Sequence, residues 1–133
     1  MFRKPRTLMI VAMLAALIPS SAGCTQKATT LTGADNGQAT TLNAGKTFLV
    51  KLEGNPSTGY TWETQDLDTT ILEQVGEAAF ESSNPSLVGA GGTLTLTFKA
   101  LKPGITTLTL FYHRSWEADV PPAETFTLQV TVK

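Results

Sequence analysis

A two-residue alternation of apolar and polar side chains runs through much of the chain and constrains its fold most strongly. The segment "TFLVKLE" places Phe48, Val50 and Leu52 on one side, and "TLTLTFKA", "TLTLFYH" and "TFTLQVTV" repeat the pattern. Successive side chains of an extended chain point to opposite faces, so this spacing predicts strands with one buried and one solvated face. The strongest predicted strands lie at about residues 45–53, 93–101, 105–113 and 124–132.

Clusters of turn-forming residues separate the alternating segments. "NAGK", "SSNPS", "GAGG", "KPG" and "VPPAE" are rich in the Gly, Pro and Asn that favour tight turns. Weaker strands are predicted near residues 29–32 and 78–82, and "LDTTILEQVG" has the best helical spacing, enough for a turn or two. Many short strands separated by turns predict an all-β sandwich or barrel.

The first 23 residues differ from the rest in composition. "MFRKPR" is basic, "TLMIVAMLAALIP" is an apolar run, and "SSAGC" brings small residues up to a cysteine. This order predicts a secretory signal peptide at residues 1–23. Because it ends at Gly23-Cys24, it resembles a bacterial lipoprotein signal, with acylated Cys24, a tether at 24–27 and a domain at 28–133. Ser21 stands where such signals usually carry Leu, so cleavage after Ala22 and secretion as a soluble protein is the alternative.

Cysteine and charge content limit the possible partners. Cys24 is the single cysteine, so an intramolecular disulfide and a thiolate metal site within the domain are excluded. Removal of the leader takes three basic residues and no acidic ones, which changes the formal net charge from −1 to −4. This balance argues against a nucleic-acid partner. We therefore expect membrane attachment only through a lipid on Cys24, with the domain on the periplasmic or outer side of the cell envelope.

An enzymatic function finds little support in the sequence. His113 is the only histidine, which excludes a multi-histidine metal site, and no segment resembles a nucleophile elbow. His113 has no obvious carboxylate partner and is expected at the surface. We predict no catalytic residue, no metal and no cofactor.

Three loops depart from the pattern of threonines and aliphatic residues. They are "NPSTGY" at residues 55–60, "GAGG" at 89–92 and "RSW" at 114–116. The hydroxyls of the first loop can either cap their own turn or point outwards, and the second loop can be a flexible hairpin connection. Trp116 beside Arg114 is typical of an interface hot spot. Alternatively, Trp116 can fold back over the end of the barrel, with Arg114 paired to Glu117 or Asp119. Tyr60 and Trp62 alternate along the next strand and are expected in the core.

Taken in order, the three loops resemble the chagasin family of inhibitors of papain-like cysteine proteases. That family carries an NPTTG-aromatic loop, a GxGG loop and an RPW loop on an immunoglobulin-like β-fold, and the resemblance covers about residues 28–133. It implies an immunoglobulin-like sandwich or barrel of about seven to eight short strands. It also implies a monomeric, reversible and competitive inhibitor that occludes the active-site cleft of a papain-like or cathepsin L-like protease.

The resemblance assigns one part of the cleft to each loop. The first loop would cross the catalytic cysteine and histidine of the protease, with Ser57 and Thr58 nearest to them. The second would run beside the non-primed subsites, and Arg114 and Trp116 would engage the primed side. The implied protease-contacting residues are Asn55, Pro56, Ser57, Thr58, Gly59, Tyr60, Gly89, Ala90, Gly91, Gly92, Arg114, Ser115 and Trp116.

Two positions depart from the family pattern. Ser57 replaces the first threonine and keeps its hydroxyl, whereas Ser115 replaces the proline between Arg114 and Trp116 and frees one backbone angle. The alternative function is therefore a non-inhibitory, immunoglobulin-like lipoprotein that binds other proteins at the surface or in the periplasm.

Overall fold

The computed structural model describes residues 28–133, which form nine β-strands and contain no α-helix. The strands are β1 (Thr29–Thr32), β2 (Ala39–Leu42), β3 (Thr47–Gly54), β4 (Thr61–Gln65), β5 (Leu72–Gln74), β6 (Ala79–Ser82), β7 (Gly92–Ala100), β8 (Gly104–His113) and β9 (Glu124–Val132). Single turns of 3-10 helix occupy Gly33–Asp35 and Pro56–Thr58. The predicted signal peptide, the tether and Cys24 lie outside the described residues.

The strands form two sheets. One has the order β1-β3-β7-β5, with β6 also paired to β7, and the other has the order β2-β9-β8-β4. β1 pairs with β3 and β2 pairs with β9 in parallel, whereas the remaining pairs are antiparallel. The all-β sandwich is therefore confirmed, with nine strands rather than the predicted seven to eight.

The core lies between the two sheets and follows the alternation seen in the sequence. Phe48 and Phe98 stack with ring centroids 5.4 Å apart, opposite each other in the β3–β7 pair. Leu108, Leu110 and Phe126 contribute buried side chains from the other sheet. Each such side chain contributes roughly 1.5–3 kcal/mol by leaving water. No polar or charged residue among residues 28–133 is buried, so the core is stabilised by apolar packing.

One predicted segment has a different structure. "LDTTILEQVG" forms a turn followed by the three-residue strand β5, in which Leu72 is fully buried. The apolar spacing of this segment fits a helix, but Leu72 pairs with Ala100 across the sheet and the burial of Leu72 decides the structure.

None of the helical turns within residues 28–133 has the length and apolar character of a membrane-spanning helix.

Strand register brings the three unusual loops to one end of the sandwich. Gly54, the last residue of β3, pairs with Gly92, the first residue of β7. In the other sheet Thr61, the first residue of β4, pairs with His113, the last residue of β8. The first loop (residues 55–60) joins β3 to β4 across the two sheets. From here on the second loop means the whole β6–β7 connection (83–91) and the third loop the whole β8–β9 connection (114–123). The second loop ends and the third loop begins beside the first.

Candidate functional site

The first loop is held by hydrogen bonds within its own backbone turn. The side-chain oxygen of Asn55 accepts from the backbone N–H of Ser57 at 3.2 Å and from the Ser57 hydroxyl at 2.5 Å. The Thr58 hydroxyl donates to the Asn55 carbonyl at 2.6 Å. Pro56 begins the turn and Gly59 ends it with φ of +83°, a left-handed conformation that favours glycine. The Thr58 hydroxyl therefore caps the turn backbone and the Ser57 hydroxyl bonds the Asn55 side chain, so both donate within the loop.

The second loop is bound directly to the first. The Asn55 side-chain amide donates to the Gly89 carbonyl at 3.0 Å, and Gly89 itself has φ of +80°. The Gly91 carbonyl accepts from the Ser83 hydroxyl at 2.7 Å, which closes the loop. A Cβ on Gly92 would overlap the Glu81 carbonyl on the neighbouring strand. Hydrogen bonds to the Gly89 and Gly91 carbonyls therefore join residues 89–92 to Asn55 and Ser83.

The third loop contacts the first through Arg114. Its Nε donates to the Thr58 carbonyl at 3.0 Å, and its Nη1 donates to Glu117 at 3.1 Å. The guanidinium carbon lies 4.5 Å from the centroid of the Tyr60 ring. Such a cation–π contact contributes about 0.5–1 kcal/mol at an exposed site. The predicted pairing of Arg114 with Glu117 is thus present.

Trp116 lies on the outside of this cluster. Its six-membered ring rests against Gly59, where any added Cβ would collide with it, yet 69% of the residue remains exposed. The indole therefore extends the surface of the first loop instead of closing the end of the core.

Aromatic side chains support the loops from below. The Tyr112 ring lies 5.2 Å from that of Tyr60 and 5.0 Å from that of Trp62, measured between centroids. The Tyr112 hydroxyl accepts a hydrogen bond from the Asn55 backbone N–H at 3.0 Å. Trp62 is buried, as predicted, whereas Tyr60 is only half-buried and lies at the edge of the core below Arg114. The aromatic layer connects the core to the first loop.

Two features of this end were missed by the sequence analysis. Leu87 and Val88 are exposed on the second loop, immediately before Gly89. Two adjacent apolar residues between a serine and a glycine break the strand alternation, and that signal could have identified them. His113 was expected to have no carboxylate partner, but its Nε2 lies 3.1 Å from Glu63 Oε2 because β4 and β8 pair side by side.

This end of the sandwich combines exposed apolar side chains with loops that are joined by hydrogen bonds. Residues 28–133 contain no group of three or more side chains suited to hold a metal ion. The fold and the loops define a β-sandwich module that presents a partly apolar surface of three hydrogen-bonded loops at one end.

Comparison with known proteins assigns this module to a family. The sequence model of the chagasin family peptidase inhibitor I42 matches residues 41–130, and the chain belongs to this family. Its members are protease inhibitors and not enzymes.

Individual relatives agree with this assignment. The chain is similar to Amoebiasin-1 of Entamoeba histolytica, with 29% identity over 103 residues that cover 77% of this chain and 98% of the relative. Chagasin of Trypanosoma cruzi is 29% identical over 104 residues, which cover 74% of this chain and 92% of the relative. The crystal structure of the cysteine protease inhibitor EhICP2 from Entamoeba histolytica aligns with a TM-score of 0.67 at 25% identity. That alignment covers 79% of this chain and 94% of EhICP2 and confirms the immunoglobulin-like fold.

Proposed function

We propose that this protein is a monomeric, reversible and competitive inhibitor of papain-like cysteine proteases that occludes the active-site cleft with its three loops. The observation that carries the proposal is the direct hydrogen bonding of the second and third loops to the first. The membership of the chain in a family of protease inhibitors, and its similarity to a cysteine protease inhibitor of known structure, support the choice of target.

The arrangement of the loops suggests how they would enter the cleft. The first loop lies between the other two, because Asn55 contacts Gly89 on one side and Thr58 contacts Arg114 on the other. It would face the catalytic cysteine and histidine of the protease. Since the Ser57 and Thr58 hydroxyls donate within the loop, they would meet the protease as hydrogen-bond acceptors.

The flanking loops supply the apolar part of the contact. Leu87 and Val88 would lie towards the non-primed side together with residues 89–92, and Trp116 would lie towards the primed side. Exposed tryptophans that become buried at the centre of an interface often contribute about 2 kcal/mol or more. Because the loops are already ordered by mutual hydrogen bonds, little conformational entropy is lost on binding.

Titration of papain with the purified protein tests the proposal. We expect a rise in the apparent KM of a fluorogenic peptide substrate without a change in kcat, and recovery of activity on dilution. Trp116→Ala should raise Ki by at least about tenfold. Ile105→Ala is the matched control, because Ile105 is 65% exposed but lies at the start of β8, away from the loops. An absence of inhibition at micromolar concentration would contradict the proposal and favour the non-inhibitory binding module.

We also propose that the chain is exported and anchored by a lipid on Cys24. The support is the order of basic, apolar and small residues in residues 1–24. Cells that express the protein should incorporate a fatty-acid analogue into it, and Cys24→Ala should abolish the labelling. Labelling that persists in the variant would exclude Cys24 as the acylated residue.

A further inference from the structure

A histidine–carboxylate pair lies where the third loop leaves the sheet. His113 ends β8 and directly precedes Arg114, the first residue of the third loop. The β4–β8 register aligns Thr61 with His113 and Glu63 with Phe111, so these four side chains share the outer face of the sheet. His113 Nε2 and Glu63 Oε2 are 3.1 Å apart, with 21% and 43% of the two side chains exposed.

His113 also borders a small cavity that the third loop helps to enclose. His113 helps to line a cavity of about 10 Å³ together with Tyr60, Arg114, Glu117, Val120 and Pro121. The imidazole also meets the Phe111 ring edge-on, with centroids 6.2 Å apart. His113 therefore lies where the outer face of the sheet adjoins the third loop.

We propose that Glu63 and His113 are positioning residues that fix the direction in which the third loop leaves β8. This inference rests on the proposed inhibitory function and assigns a role within the same site. The neighbouring Arg114 donates to the Thr58 carbonyl and to Glu117, and both contacts depend on the direction of the chain at residues 113–114. A hydrogen bond between Glu63 and His113 limits that orientation and thereby keeps the indole of Trp116 over Gly59.

The pair acts from behind the binding surface. Both side chains lie on the outer face of the β4–β8 pair, whereas Trp116 and the tip of the first loop form the exposed end. Loss of the pair should therefore weaken inhibition chiefly through Trp116, the exposed side chain of the third loop, and an effect that depends on Trp116 distinguishes positioning from general destabilisation of the fold.

Inhibition of papain by single and double variants tests the inference. Glu63→Ala and His113→Ala should each raise Ki by about threefold to tenfold, and the Ki of the double variant should be no higher than that of either single variant.

The Ki of Glu63→Gln should stay within about twofold of the wild-type value, because the glutamine amide oxygen still accepts from a protonated Nε2 of His113. Glu73→Ala, which removes an exposed carboxylate on β5, controls for the change in net charge. Added to Trp116→Ala, the Glu63→Ala change should alter Ki by less than about twofold.

Hydrogen exchange of the free protein provides a second measurement that does not depend on inhibition. Peptides covering residues 114–123 should exchange faster in Glu63→Ala and His113→Ala than in the wild type, with Glu63→Gln close to the wild type. Unchanged exchange in both alanine variants, or a full effect of Glu63→Ala in the Trp116→Ala background, would overturn the inference. If the wild type does not inhibit papain, the proposed function fails, and the exchange measurement alone decides whether the pair positions the loop.

Discussion

Gly59→Ala offers the most specific test of how the first and third loops are assembled. Gly59 has φ of +83°, and its N–H donates to the Pro56 carbonyl at 3.0 Å, so its backbone position is fixed by the turn. An alanine Cβ would meet Cζ2 of Trp116 at 3.1 Å and Cη2 at a shorter distance still. Because the backbone cannot move without breaking the turn, the indole has to leave its place over the loop.

A second glycine supplies the matched control. Gly45 has φ of +86°, and no atom lies within 4 Å of a Cβ added there. Both alanine variants carry the left-handed strain of roughly 1–2 kcal/mol, so both should lose about that free energy of unfolding. Only Gly59→Ala also displaces Trp116. If Trp116 contributes about 2 kcal/mol to binding, its displacement raises Ki about 30-fold.

Two measurements decide the outcome. Urea denaturation gives the free energy of unfolding of each variant, and inhibition of papain gives its Ki. We expect similar destabilisation in the two variants and a large rise in Ki for Gly59→Ala alone. A Ki for Gly59→Ala within about twofold of that for Gly45→Ala would refute the claim that the indole must rest on Gly59.

Three further changes should have measurable effects. Ser115→Pro should lower Ki roughly two- to fivefold and raise the melting temperature. Residue 115 is the second residue of a turn closed by a hydrogen bond from the Glu117 N–H to the Arg114 carbonyl, a position that favours proline. A higher Ki would contradict this prediction. Tyr112→Phe removes the acceptor of the Asn55 N–H and should cost about 1 kcal/mol in urea denaturation, whereas an unchanged midpoint would show that the bond adds nothing. Hydrogen bonds from the Thr70 hydroxyl and backbone N–H lower the pKa of Asp68 from its usual value. The ionised Asp68 therefore stabilises the fold fully above the pKa of the unfolded chain, and this stabilisation is lost as the pH falls through the lower pKa of the folded protein. Asp68→Asn should reduce the slope of the free energy of unfolding against pH in that acidic range and leave the slope unchanged near neutrality.

The long strands were predictable from the sequence because their alternation is sustained over eight to ten residues. The pairing of the short strands was not, since β1 skips β2 to run parallel to β3, β2 runs parallel to the distant β9, and periodicity carries no information about partners. In β5 three residues are too few to distinguish a strand from a helical turn, and burial of Leu72 decides the matter.

The loop motifs were also visible in the sequence, but their contacts were not. Arg114 reaches the Thr58 carbonyl across 56 positions of the chain, and His113 reaches Glu63 across 50. Both contacts depend on the register between β4 and β8, which the alternation of apolar residues alone does not reveal. Composition alone does not show whether the Ser57 hydroxyl donates within the loop or points outwards. The outcome depends on the position of the Asn55 side chain, which accepts from this hydroxyl.

The contacts of Arg114 explain how the third loop can be ordered without the proline of the family pattern. Proline at residue 115 would contribute about 0.4–1 kcal/mol by restricting the unfolded chain. Here Arg114 makes two hydrogen bonds and stacks on Tyr60, and each hydrogen bond contributes about 0.5–1.5 kcal/mol net. Together the side-chain contacts contribute at least as much as the proline would, so they can offset the flexibility that Ser115 introduces. The contacts differ from proline in one respect, because they fix the third loop relative to the first, and a proline orders only its own backbone.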